Sequence, residues 1–171
     1  MFQYFRIILF ILITSNVQAE IKEKIIQNLE NTNNLDFRFE QNINGKIENG
    51  YCIIEYPKKI FCEYARSNKK ILVSDGKSLV VKTKTSFYRY PLEKTPLDLI
   101  LDKTYLISKI YELEERIVDK SLINFTIQEK NNKINIFFDN QSFDLIGWQN
   151  TDIYQNFNIT EHLFYQHDWP C

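Results

Sequence analysis

The chain of 171 residues is long enough to bury one substantial core and short for two, and its formal net charge of −1 offers no basic excess to draw nucleic acid. Aromatic residues make up 15% and glycines number only four, a balance that suits an aromatic-rich sheet and points to an all-β or α+β fold.

Met1 to Arg6 carries one positive charge, Ile7 to Ile13 is a continuous apolar run, and Val17 and Ala19 are small residues at the −3 and −1 positions of a cleavage site. The run is well short of the ~20 residues needed to span a bilayer, so residues 1–19 are expected to be a cleaved secretory signal peptide. Arg6 is the only charge in this segment, and its removal takes the net charge from −1 to −2. No cysteine stands near the cleavage site, so the mature protein is not expected to be a lipoprotein itself. Residues 20–171 are expected to form a single exported domain.

Ile21, Ile25 and Leu29 recur at i, i+4 and i+8 with lysine and glutamate between them, which predicts an amphipathic helix of about three turns. Asn31 to Asn34 ends it, because clustered Asn and Thr favour turns. The period then changes to two. Leu35, Phe37 and Phe39 share one face of a strand, Gly45 supplies a turn, and Lys46 to Tyr56 is the next strand.

Pro57-Lys58-Lys59 divides this strand from Ile60 to Arg66 and predicts a β-hairpin. Alternation places Cys52, Ile54 and Tyr56 on one face, and Ile60, Cys62 and Tyr64 on one face of the partner. Opposed residues of an antiparallel pair have Cα atoms ~4.5 to 5.5 Å apart, within the reach of a disulfide, so Cys52 and Cys62 are the favoured pair. Cys171 is left over: it is free, pairs between chains, or replaces one of the other two.

Lys70 to Val73 and Leu79 to Val81 flank the Ser74-Asp75-Gly76-Lys77 turn, and Ser86 to Tyr90 completes a first block of antiparallel strands. Thr95 to Leu101 is a predicted short helix with Thr95 as N-cap, Pro96 in the first position, and Leu97, Ile100 and Leu101 on its apolar face. Tyr105 to Glu114 is a second one. Strand signals resume at Leu122 to Gln128, Lys133 to Phe138 and Phe143 to Trp148, and Ile153, Gln155, Phe157 and Ile159 alternate in a last strand. His162 to Cys171 is aromatic but aperiodic and receives no assignment.

Chemistry-bearing patterns are sparse. His162 and His167 stand five apart beside Glu161 and Asp168, without the helical spacing that would support a metal site. There is no Gly-x-Ser-x-Gly elbow and no phosphate loop, and Glu40, Glu55 and Glu63 fall on polar strand faces. No metal, cofactor or enzymatic activity is therefore expected. The excess is apolar: Phe37, Phe39, Ile54, Tyr56, Ile60, Tyr64, Tyr88, Tyr90, Phe125, Ile127, Phe157 and Ile159 would line the concave side of a strongly curved antiparallel sheet. Alternation of this kind is what every half-buried sheet shows, so residue types alone favour ordinary core packing.

Several short motifs come in a familiar order: Phe39-Glu40-Gln41 after an amphipathic helix, Tyr56-Pro57 opening a hairpin into Phe61-Cys62-Glu63-Tyr64, and Leu72-Val73-Ser74-Asp75-Gly76-Lys77. Tyr90-Pro91-Leu92, Thr95-Pro96-Leu97 and Leu145-Ile146-Gly147-Trp148 follow. Together they resemble the periplasmic outer-membrane lipoprotein carrier family, LolA, from about Glu20 to Trp148. The resemblance implies an α+β, mainly antiparallel β fold: an incomplete, strongly curved β-barrel with an N-terminal helix and short mid-chain lid helices over an apolar cavity. It implies a soluble, monomeric periplasmic chaperone that receives lipoproteins from an inner-membrane ABC transporter, shelters their acyl chains, and hands them to an outer-membrane acceptor. Thr95, Pro96, Leu97, Ile100 and Leu101 fall in the lid region, and the Phe-x-Gln strand in the cavity wall. Many members carry an arginine just before the hairpin proline, where it holds the lid closed. Tyr56 occupies that place here, and a phenol donates one hydrogen bond where a guanidinium donates five. The alternatives are a carrier of free lipid or another amphiphile, and a non-transporting periplasmic interaction or sensor domain on the same half-barrel.

Overall fold

The computed structural model describes residues 20–43, 45–65, 69–118, 120–129, 132–151 and 157–164. The expected signal peptide, Ile153, Gln155, His167 and Cys171 lie outside them. Helix α1 (20–31) is followed by β1 (Asn34–Ile43), β2 (Lys46–Glu55), β3 (Lys59–Tyr64), β4 (Ile71–Asp75), β5 (Ser78–Lys82) and β6 (Phe87–Pro91). A 3-10 turn (Leu92–Lys94) and helices α2 (Leu97–Leu101) and α3 (Lys103–Glu112) come next. The chain then adds β7 (Arg116–Val118), β8 (Leu122–Glu129), β9 (Asn132–Asp139), β10 (Leu145–Thr151) and β11 (Phe157–Phe164).

All the strands join one sheet in the order β6-β5-β4-β3-β2-β1-β11-β10-β9-β8-β7, antiparallel at every junction. The fold is thus mostly antiparallel β with a few helices. Among the described residues no barrel closes, because β6 and β7 are the outer strands of the sheet.

One face of this sheet is apolar, and two adjoining cores form on it. The first joins Ile25, Ile26 and Leu29 of α1 and Leu106 and Ile110 of α3 to Ile123, Phe125, Ile127, Ile134, Ile136 and Phe138 of β8 and β9. The second joins Phe37 and Phe39 of β1, Cys52 and Ile54 of β2, Ile60, Cys62 and Tyr64 of β3, and Leu79 of β5. Strict alternation in β3 buries Ile60, Cys62 and Tyr64 and exposes Lys59, Phe61 and Glu63, as a strand with one wet face requires. Helix α2 straddles the boundary: Ile100 is buried in the first core and its neighbour Leu101 in the second.

Local signals explain most of the boundaries and two departures from expectation. Asp102 caps α3 by accepting a hydrogen bond from the Tyr105 N–H at 3.0 Å. Thr95, expected to cap α2, instead donates its hydroxyl to the Leu92 carbonyl at 2.8 Å and closes the 3-10 turn, and Pro96 takes the cap position. Phe143, expected to begin β10, has φ 62° and belongs to the preceding turn. Strand β7 has three residues, too few for alternation to be recognised in sequence. Strand β11 reaches Phe164, through the stretch that had no assignment.

Candidate functional site

The second core does not close on itself. Between its sheet face and α2 lies a cavity of about 330 Å³. Its wall is built by register. Phe37 opposes Cys52, Cys52 opposes Cys62, Cys62 opposes Leu72, and Leu72 opposes Val81, a single row across β1 to β5 that lines the cavity throughout. The opposition of Cys52 and Cys62 brings their Cα atoms to 4.1 Å and permits the disulfide expected from the hairpin. The next row is Phe39, Gly50 and Tyr64. A Cβ on Gly50 would collide with the Glu63 carbonyl oxygen and stand 2.8 Å from the Phe39 ring. The missing side chain lets Phe39 and Tyr64 meet edge to face across β2, with centroids 4.9 Å apart. Trp148 of β10 closes the side, edge-on to Phe37 at 6.4 Å.

Gln41, Lys70 and Asn150 make one part of the lining polar. Lys70 Nζ donates to Glu48 at 2.6 Å and sits 3.9 Å from the centroid of the Tyr64 ring, while Gln41 Nε2 reaches Glu48 at 3.0 Å and the Tyr64 hydroxyl at 3.3 Å. Glu48 is buried, and Lys46 adds a second ammonium at 2.9 Å, so the carboxylate is held by a network rather than left bare. Burial, reinforced by the nearby Glu48 charge, pushes the Tyr64 phenol up to about 12, so it stays neutral in ordinary conditions. The buried Asn150 Oδ1 accepts no hydrogen bond among the described residues. A second concavity, about 570 Å³, sits beside Gly50, where exposed Arg38, Asn49, Tyr51 and Glu63 join Phe39 and Tyr64 in the lining, so it lacks the uniformly apolar sheet face of the first.

The helix over the cavity is tied from the hairpin turn. Tyr56-Pro57 is a cis peptide, and Lys58 follows it with φ 65°. Its backbone N–H donates to the Leu101 carbonyl at 3.0 Å, and its ammonium reaches Asp98 at 3.0 Å and Asp102 at 3.2 Å. The hydrogen bond to Asp98, and then that to Asp102, raise the Lys58 ammonium above its usual range. Tyr56 makes no such contact. Its hydroxyl is buried without a hydrogen-bond partner among the described residues, and burial raises its pKa. The residue tying α2 down is therefore two positions beyond the one singled out in sequence. The available signal was Asp98 and Asp102, carboxylates four apart in the first turn and at the C-cap of a short apolar helix.

Of the residues expected in the cavity, Phe37, Phe39, Ile60 and Tyr64 line it together. Ile54 and Tyr56 pack in the same core beneath the wall. Phe125 is a correction: it is fully buried in the other core, edge-on to Phe138 at 5.9 Å, because β8 lies under α1 and α3. Tyr88 and Tyr90 are corrected differently. Their register with Val81 and Leu79 puts them on the expected face, but β6 is the sheet edge and they are 52% and 47% exposed. The backbone of Phe157 pairs with Thr151, and its side chain lies outside the described portion. Thr95, Pro96 and Leu97 line the cavity, whereas Ile100 and Leu101 are buried in the two cores. Leu72, Leu79, Val81 and Trp148 were missed; they lie on alternating strands, but alternation does not say which part of a sheet face stays uncovered. Among the described residues, no group of three or more His, Cys, Asp or Glu side chains could hold a metal ion.

Residues 30–165 match the family model described as outer membrane lipoprotein carrier protein LolA. No curated protein matches. Among solved structures, a LolA superfamily protein from Nitrosomonas europaea aligns over 90% of this chain and 94% of its own, at 7% identity and a TM-score of 0.47. A DUF1329 family protein from Desulfovibrio piger aligns over 85% of this chain and 91% of its own, at 6% identity and a TM-score of 0.41.

Proposed function

The chain belongs to the LolA family, and from that premise we propose that it is a soluble periplasmic carrier of lipoprotein acyl chains. The observation that carries this reading is the cavity of about 330 Å³ between an apolar sheet face and a five-residue helix. Each methylene moved from water into such a wall contributes roughly 0.8 kcal/mol, so even part of an acyl chain is held firmly. The volume lies near the lower end of the ~300–1,000 Å³ typical of ligand sites, so a full cargo requires α2 to move. In this reading the sheet is the wall of an incomplete barrel and α2 is its lid.

Lys58 acts as the latch. A partly exposed ion pair contributes on the order of 1 kcal/mol, enough to favour a closed lid and small beside the gain from burying a chain. The lid therefore opens at modest cost. Cargo passes from an inner-membrane transporter to an outer-membrane acceptor without a covalent step. To test this, the oxidised protein is added to spheroplasts displaying lipoproteins on the inner membrane. Release of lipoprotein into the supernatant, lost in Leu97→Glu, is expected; a wild-type protein that releases none refutes the role.

A second reading, a carrier of free amphiphile, draws on the small volume and on the polar lining at Gln41, Lys70 and Asn150, which suits one chain with a polar head. Mass spectrometry of co-purifying ligands separates the two. Acylated peptide supports the first reading, and free lipid alone the second.

A further inference from the structure

We propose that the β5–β6 hairpin docks the protein on anionic phospholipid surfaces, with the free edge of β6 lying in the headgroup layer beside the mouth of the cavity. Strand β6 ends the sheet, and no element among the described residues covers its aromatic side chains: Phe87, Tyr88 and Tyr90 are 64%, 52% and 47% exposed. Within Ser78–Pro91 the only charged residues are Lys82, Lys84 and Arg89, a net of +3 in a chain of net charge −1. All three are exposed and none makes a salt bridge with a described residue, although the Arg89 charge is near enough to help hold the Asp75 carboxyl below its usual range, after the Ser78 and Lys77 backbone N–H groups. Glu93 follows the hairpin and Asp75 precedes it, but Lys77 and Lys94 stand beside them in sequence, so the basic excess persists around the edge.

The arrangement selects its occupant. Tyrosine and phenylalanine interleaved with lysine and arginine is the composition of a bilayer interface, where rings sit among headgroups and cations meet lipid phosphates. Phe87 and Arg89 emerge on one face of β6, and Tyr88 and Tyr90 on the other, which makes a two-sided ridge suited to a deformable layer. The unpaired backbone groups of an edge strand need hydrogen-bond partners, which headgroups and water supply and acyl chains do not. A second copy is disfavoured, because a two-fold contact would set two +3 hairpins against each other. Register also links the ridge to the cavity: Tyr88 opposes Val81 and Tyr90 opposes Leu79, and both partners line the wall. The ridge is thus the outward continuation of the wall. The proposal concerns approach to a bilayer and stands whichever cargo the cavity holds.

The test is co-sedimentation with phosphatidylcholine vesicles made with or without phosphatidylglycerol. At ~0.1 M salt the protein should bind the phosphatidylglycerol vesicles selectively, and lose them at ~1 M, where the screening length falls from about 10 to about 3 Å. Lys82→Gln, Lys84→Gln and Arg89→Gln together should weaken binding roughly 100-fold, at about fivefold per cation. Phe87→Ser should weaken it about tenfold. Lys133→Gln, exposed on distant β9, should change nothing, and thermal melting verifies that each variant is folded. Lys84→Gln alone, at the hairpin tip, keeps the test valid if the triple variant does not fold. Equal binding to neutral vesicles, undiminished binding by the triple variant, or no binding at low salt overturns the proposal. So does capture by polyglutamate beads without capture by vesicles, which would give the surface to an acidic protein.

Discussion

The two halves of one sheet face differ in what covers them. Over β8 and β9, α1 and α3 lay down five buried aliphatic side chains, and Ile123, Phe125, Ile134, Ile136 and Phe138 are all 0% exposed. Over β1 to β5 the cover is α2, five residues long, and the 3-10 turn before it. There the sheet face stays partly open, and Leu72 and Val81 remain only half-buried. Both faces are apolar, so hydrophobicity does not make the cavity. It follows from the shortage of helix to fill the space, and from a wall stiff enough not to collapse into it. Three features cross-link that wall: the Cys52–Cys62 bond, the Phe39–Tyr64 contact over Gly50, and the Glu48 network.

The sharpest way to break this contrast is truncation in each half. Phe125→Ala should cost about 3–5 kcal/mol in urea unfolding, because a filled core keeps the hole, whereas Leu72→Ala removes a side chain already facing a void and should cost about 1–2. Equal losses would mean that the second half is as tightly packed as the first. The next effect is covalent. Replacing Cys52 and Cys62 with serine releases a link between positions ten apart and should cost about 2–3 kcal/mol, with a loss of acyl-chain binding if the bond stiffens the wall. A stability loss with unchanged binding would assign that stiffness elsewhere.

The smallest effect is electrostatic. Lys58→Met should cost about 1 kcal/mol and speed amide hydrogen exchange in α2 while leaving β8 and β9 unchanged. Its pH dependence has a definite sign. The folded ammonium has a raised pKa, so its contribution is complete below the unfolded value near 10.4 and is lost as pH climbs through the higher folded value. The stability difference between wild type and Lys58→Met should therefore be constant through neutral pH and shrink in strong alkali.

What could be read in advance follows the range of the interactions involved. The Cys52–Cys62 pairing was readable because hairpin register is local, set by the Pro57–Lys59 turn. The fold class and family followed from period-two alternation and the ordered motifs. Phe125 could not be placed, since alternation identifies a buried face but not the helix lying on it. Tyr88 and Tyr90 were assigned the right face and the wrong exposure, because position at a sheet edge depends on strand order. Thr95 has the residue type of an N-cap, yet its hydroxyl found a carbonyl three residues back. Lys58 was invisible because the two carboxylates it meets are 40 and 44 positions away in the chain.

The division of Ile100 and Leu101 between the two cores sets the range of motion of α2. Both side chains are 0% exposed, so the C-terminal end of the helix is pinned, and the Leu101 carbonyl is further tied by the Lys58 N–H. Thr95, Pro96 and Leu97 at the other end are only half-buried. If α2 is the lid of the proposed carrier, its displacement would be a swing about a fixed C-terminal pivot, more drawbridge than removable cover. The end held by the Lys58–Asp98 ion pair lies next to Leu92, whose N–H donates to the Lys77 carbonyl just before the β5–β6 hairpin. In the proposed carrier, the entrance for cargo would open on the flank that carries Tyr88 and Tyr90, while the opposite side of the molecule would keep its packing.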